Sequence, residues 1–273
     1  MKFANIIEVG LRDGLQTEKR LLSSHFKLHT INQLVRAGLK DIEITSFVNT
    51  KLVPQFNDNY HIARNVLRYN NVRYSALVPN ERGYFQMRES GNIDEAVLFV
   101  STTDTFNKKN INSSIKEAFE KFNKISKIAK EDKIKLRGSI SCCFTCPYEG
   151  DVSVDKVRDV IKRYIDIGVD RIDIADTIGT GTPTKLRKIL DGLDTYNITG
   201  HYHDTNGKAL ELVETSLDNG INTFHSSIGG LGGCPFSSKI VGNLSTEKLL
   251  EYLHSKDIKT GIDLDRIKNI RIF

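Results

Sequence analysis

The sequence predicts a closed (β/α)8 TIM barrel spanning residues 1–273 as one catalytic domain, and three observations lead there. A chain of 273 residues suits one barrel better than two small domains, since barrels of roughly 250 residues are routine. Eight short runs rich in β-branched residues recur along it, and each is followed by a stretch with helical periodicity. Strict alternation of this kind argues for a parallel sheet with helical crossovers.

The runs, in order, are Ala4–Val9, Asp41–Ile44, Arg73–Val78, Glu95–Val100, Lys135–Ser141, Asp170–Ile174, Ile198–His203 and Thr223–Ser227. Between them lie amphipathic stretches such as the one carrying Ile115, Phe119, Phe122 and Ile125 at three- and four-residue spacing. Gly38, Gly168 and Gly220 each stand shortly before a run, where a helix C-terminus favours a left-handed residue. Ser153 with Asp155, and Thr182 followed by Pro183, are helix-start signals. An open doubly wound sheet would be expected to carry a dinucleotide-type glycine turn after its first strand. That position holds Gly10-Leu11-Arg12-Asp13-Gly14, which lacks the spacing.

The net charge of +5 is modest and the basic residues are scattered along helices, so neither a nucleic-acid stripe nor a basic membrane-binding face is expected. The amino terminus passes straight into a strand pattern, and no apolar stretch reaches membrane-spanning length. Three of the four cysteines crowd into 142–146 and the fourth is Cys234, a pattern unlike a disulfide framework. A soluble, cytoplasmic protein is the expectation. Cys143-Phe-Thr-Cys146 has no second pair to complete a four-thiolate zinc site and reads as structural.

In such barrels the chemistry sits where strands end. Those ends carry Arg12, Asp13, Glu43, Asp176, His201, His203 and Asp204, with Asn80, Thr103 and Ser141 at similar places. His201 and His203 are two apart on a strand and so share a face, where two imidazoles can hold one ion. The alternative is a hydrogen-bonded pair in a polar layer. Asp13 is the natural carboxylate partner, or else a turn-forming Asp before Gly14. Oxygen ligands beside two imidazoles suit Mg2+ or Mn2+ better than a closed thiolate site. Arg12 is a fixed cation suited to an enolate or carbonyl oxygen, and Glu43 could orient it through a bidentate pair. Asp204 reads as a neighbour that orients the histidines or a loop. Gly229-Gly230-Leu231-Gly232-Gly233-Cys234-Pro235 is a loop able to fold over a substrate, with a thiol at its tip.

Taken together these segments resemble the 3-hydroxy-3-methylglutaryl-CoA lyase family. The likeness rests on EVGLRDGLQTEK from Glu8, IEITSFVNTKLVPQ from Ile42, FNKKNINSSIKEAFEKF from Phe106, CPYEGDVS from Cys146, ADTIGTGTP from Ala175, HYHDTNG from His201, GLGGCPF from Gly230 and GNLSTEKL from Gly242. The resemblance implies a divalent metal held by Asp13, His201, His203 and Asn243. It implies an acyl-CoA substrate touched by Arg12, Gln16, Asp176, Lys108, Lys109, Asn110 and Gly233, with a homodimer as the assembly. Catalytic roles fall to Arg12, Asp13, Glu43, His201 and Cys234, the thiol supplying a proton and His201 or Asp13 taking one. The neighbouring readings are an aldolase or Claisen-type acyltransferase on another hydroxy or 2-oxo acid, and a non-catalytic acyl-CoA-binding relative. Leu11 stands where the family usually has Pro, Asn206 where it commonly has Tyr, and His225 where it has an acidic residue. The chain also ends at Phe273, where the lyases generally continue.

Overall fold

The computed structural model describes residues 2–232 and 242–272. Eight strands, β1 (Asn5–Glu8), β2 (Asp41–Ser46), β3 (Arg73–Leu77), β4 (Glu95–Ser101), β5 (Lys135–Ser141), β6 (Arg171–Asp176), β7 (Ile198–Tyr202) and β8 (Thr223–Ser226), pair in chain order into a closed barrel. All eight ladders are parallel, and the ring closes where Asn5, Ile6, Ile7 and Glu8 meet Thr223, Phe224, His225 and Ser226. Each expected run is a strand, with ends displaced by a residue or two. His203 lies just past β7 and instead makes a lone bridge to Asn243.

The helices start and stop where local chemistry dictates. Ser153 accepts from the Lys156 N–H, Thr182 from the Lys185 N–H ahead of Pro183, and Ser114 with Glu117 forms a capping box. Gly38, Gly168 and Gly220 have φ of 105°, 77° and 85°, a region that favours glycine. The long helix α5 (Ile115–Asp132) buries Phe119, Phe122 and Ile125 against the sheet, and Phe119 meets the Tyr164 ring edge-on at 4.9 Å. Tyr164 in turn lies on Gly138 of β5, where a Cβ would fall 2.5 Å from its ring. That close approach admits no larger residue. Apolar packing thus fills the layer between strands and helices.

The inside of the barrel is different. Barrel interiors are commonly layers of branched apolar side chains, whereas here strand residues one and three carry charge. Arg171 pairs with Asp41 at 2.7 Å and Glu95 at 2.5 Å. Arg137, fully buried, lies 3.4 Å from Glu95, 3.5 Å from Asp173 and in direct contact with Glu43. Glu43 reaches onward to Arg12. A column of alternating charge therefore runs from the strand starts to the strand ends.

Candidate active site

After β1 the backbone forms a single π-turn, Gly10–Gly14, which carries Arg12 and Asp13 into the barrel mouth. Glu8 anchors it. One carboxylate oxygen accepts from the Gly10 N–H at 2.8 Å and the Ile228 N–H at 2.9 Å, while the other accepts from the Thr246 hydroxyl at 2.6 Å. A Cβ on Gly10 would lie 2.7 Å from that carboxylate, so the turn requires glycine there. Burial pushes the Glu8 carboxyl up to about 7, against the three hydrogen bonds that favour its charge.

Arg12 is held from two sides. Its Nε donates to Glu43 Oε1 and its Nη1 donates to Asp13 Oδ1 at 2.7 Å. Burial alone would lower the guanidinium pKa, but Glu43 and Asp13 more than offset it, so the charge is fixed. Glu43 does not grip Arg12 with both oxygens as expected. Its second oxygen accepts from Arg137, because a fully buried carboxylate between two guanidiniums gains more by bridging them. Glu43 therefore orients Arg12 from below and does not line the cavity.

At the end of β7 the Nε2 atoms of His201 and His203 face each other at 3.1 Å, and His203 Nε2 lies 3.9 Å from Asp13 Oδ2. One ligand atom from each of Asp13, His201 and His203 lies within 4.8 Å of the others, and all three residues are buried. Asn243 adds its carboxamide, whose Nδ2 donates to Asp13 Oδ2 at 2.7 Å and to the Leu231 carbonyl at 2.9 Å. Burial, and for His201 the nearby His225 as well, holds both imidazoles below the ordinary histidine range. Burial would raise Asp13, yet Arg12 and the two histidines hold its carboxyl well below the usual range. Two neutral rings with facing nitrogens beside a fixed carboxylate form a donor set that a divalent cation would satisfy. These residues could hold one.

A cavity of about 570 Å³ opens above them. Arg12, Asp13, Gln16, His201 and His203 form its polar floor, Leu52, Val53, Phe56, Phe106 and Ile111 contribute apolar wall, and Lys109, Asn110 and Lys121 add polar groups. Gln16 also donates to Asp13 Oδ1 at 3.0 Å. Of the residues expected to touch substrate, Lys108 is not part of this lining. Asp176 is not either, because its carboxylate accepts from the Thr180 and Gly181 N–H groups at 3.0 and 2.7 Å. Burial lifts that carboxyl to about 6 despite these bonds. Asp204 pairs with Lys248 at 2.5 Å and accepts from the Ala209 N–H, while its own N–H binds the Gly242 carbonyl. It thus ties β7 to the segment that brings Asn243. Asn206, the departure after the histidines, donates to the Gly179 carbonyl at 2.8 Å. Cys142, Cys143 and Cys146 are free and buried, and Cys143 is pushed well up by that burial. Gly233 and Cys234 lie outside the described residues.

Two residues were not singled out for the site from sequence. Arg137 is the hub beneath Arg12, and His225 lies with its Nδ1 3.1 Å from His201 Nδ1. Arg137 read as the polar face of an alternating strand, a face that barrel closure turns inward.

A family model described as HMGL-like matches residues 4–273. The cytoplasmic 3-hydroxy-3-methylglutaryl-CoA lyase of Mus musculus is 40% identical over 270 residues, 97% of this chain and 78% of that protein. The crystal structure of the HMG-CoA lyase from Brucella melitensis superposes with a TM-score of 0.94 at 39% identity, covering 98% of this chain and 96% of that one. An HMG-CoA lyase from Acinetobacter baumannii, solved in complex with coenzyme A and 3-methylmalate, gives 0.92 at 31% identity, over 97% and 88% of the two chains. Fold, strand-end residues and sequence agree, and the chain belongs to the HMGL-like family, the family of the 3-hydroxy-3-methylglutaryl-CoA lyases.

Proposed function

We propose that this protein cleaves 3-hydroxy-3-methylglutaryl-CoA to acetyl-CoA and acetoacetate, with Mg2+ or Mn2+ as its metal. The observation that supports this most is the convergence of Asp13, His201 and His203 next to a clamped Arg12 on the floor of one cavity. Asp13, His201, His203 and Asn243 would hold the cation. When bound, such an ion lowers the pKa of a substrate hydroxyl and fixes its orientation. The hydroxyl proton passes to His201 or Asp13, the C2–C3 bond breaks, and its electrons move onto the thioester as an enolate. Arg12, already oriented by Glu43, stands ready to bind the developing enolate oxygen at no reorganisation cost. Cys234 is proposed to return a proton to the acetyl carbon. Lys109, Asn110 and Lys121, in the cavity lining, suit the phosphates of coenzyme A, which the A. baumannii structure contains. Three free buried thiols fit a reducing compartment such as the cytoplasm. Among the described residues no helix is long and apolar enough to cross a membrane.

The test is direct. Purified protein with Mn2+, a thiol reductant and the hydroxymethylglutaryl thioester should release acetoacetate, and a chelator should abolish the release. Cleavage that persists after complete chelation would overturn the metal's role. Turnover of 2-oxo acids with none of the thioester would overturn the substrate.

A further inference from the structure

His225 stands on β8 where the related lyases carry an acidic residue, and its ring is buried in the barrel interior rather than at the cavity. On one side its Nδ1 is 3.1 Å from His201 Nδ1. On the other, its Nε2 is 3.2 Å from Asp173 Oδ1, 3.2 Å from Arg137 Nη1 and 3.3 Å from the Thr199 hydroxyl. Thr199 itself donates to Asp173 Oδ1 at 2.6 Å.

Two proton arrangements compete across this chain. If Arg137 donates to His225 Nε2, the His225 proton sits on Nδ1 and points at His201 Nδ1. The single proton of His201 is then forced onto Nε2, the atom that faces His203 and Asp13, and the ring cannot ligate. If instead His225 Nε2–H donates to Asp173, its Nδ1 lone pair accepts from His201 Nδ1–H. His201 Nε2 is then bare and directed at His203 Nε2 and Asp13. Asp173 is a buried anion. Burial would raise its carboxyl, but Arg137 and then His225 hold it far below the usual range. Arg137 has three carboxylates to satisfy it, Glu43, Glu95 and Asp173, and does not depend on an imidazole. The second arrangement leaves no donor facing a donor.

We propose that His225 is a positioning residue for the metal: through an Asp173–His225–His201 chain it fixes the tautomer in which His201 Nε2 is free to bind a divalent cation. Partners of this kind on the far nitrogen of a ligating histidine govern both ring orientation and ligand basicity. An acidic residue at the same position supplies an acceptor directly. A histidine does the same work only because Asp173 supplies the second acceptor behind it. The inference rests on the metal assignment and not on the identity of the substrate.

The first test needs no variant. Nitrogen-15 NMR of the imidazoles in the metal-free protein should find His201 protonated on Nδ1 and bare on Nε2, and the opposite tautomer overturns the proposal. The second measures binding of Mn2+ alone by EPR or calorimetry. His225→Ala should weaken binding by about 10- to 100-fold, the range for lost outer partners of metal ligands. Asp173→Asn, which can present a donor to His225, should also weaken it. His225→Asp, an acceptor without a donor, should stay within about tenfold of the parent. Undiminished Mn2+ affinity in a folded His225→Ala protein overturns the proposal. So does a His225→Asp protein that binds no better than His225→Ala. Because neither readout involves turnover, failure of the lyase reading would leave these outcomes unchanged.

Discussion

At the end of the barrel where strands begin, Arg171 sits between Asp41 and Glu95, and Arg137 sits among Glu95, Asp173 and Glu43. At the end where strands finish, Arg12, Asp13, His201 and His203 form a second buried cluster. Both put polar groups out of water, yet they differ in completeness. In the lower cluster each carboxylate has a guanidinium beside it, so the charges balance within the protein. In the upper one two neutral ring nitrogens face each other beside a carboxylate, an arrangement that protein groups alone leave unsatisfied. The lower cluster is built for the fold and the upper one for a ligand.

Removing a group from each end should therefore have opposite consequences. The largest effect is expected from His203→Ala. Mn2+ binding should be lost, and turnover should fall by at least roughly a thousandfold, since metal polarisation supplies several kcal/mol. The melting temperature of the metal-free protein should not fall, because one of two mutually unsatisfied groups has been removed. A clear drop in that temperature would show that the upper cluster is structural after all. Arg137→Met should do the reverse. Leaving Glu43, Glu95 and Asp173 buried without their common cation should cost about 3–5 kcal/mol in denaturant unfolding. Its Mn2+ affinity should stay within about tenfold of the parent. Arg12→Ala comes next. Cleavage should slow by about 10²–10³-fold with Mn2+ still bound, the usual loss for one donor to a developing oxyanion. A KM increase with unchanged kcat would place Arg12 in substrate binding only.

The same contrast explains what the sequence could and could not convey. The eight strands were legible because β-branched runs recur between amphipathic helices, and the mouth was legible because strand ends in such barrels carry the chemistry. Asp13, His201 and His203 follow from that rule. Arg137 does not, since Lys135, Arg137 and Ser139 on one face of β5 look like a solvated side. Only closure turns that face inward, and the acids at matching positions of β2, β4 and β6 were the signal that an interior cation was needed. Glu43 was placed next to Arg12 but not between two arginines for the same reason. Asp176 sits at a strand end, yet nothing in its spacing shows that the backbone of Thr180 and Gly181 occupies its carboxylate. The π-turn at Gly10–Gly14 is equally silent, because its geometry depends on Glu8 and on segments more than two hundred residues away.

Glu8 sharpens the comparison further, since it is a mouth-side carboxylate held by N–H groups and a hydroxyl with no arginine at hydrogen-bond distance among the described residues. Burial lifts its carboxyl from 4.5 to about 7. A folded-state value above the unfolded one means the native protein keeps a proton that the unfolded chain has released. That contribution is fully present below about pH 4.5 and is lost as pH rises through about 7. The shift corresponds to a loss on the order of 3 kcal/mol across that window. Glu8→Gln keeps an acceptor for the Gly10 and Ile228 N–H groups and a donor for Thr246, but it cannot ionise. Its stability should therefore be flatter than the parent's between about pH 5 and 8, and higher than the parent's at pH 8. Parallel stability–pH curves for the two proteins would mean that Glu8 is stabilised as an anion by its three hydrogen bonds alone. In that case the mouth would be able to hold an unpaired carboxylate without an arginine, and the contrast with the lower cluster would rest on the histidines only.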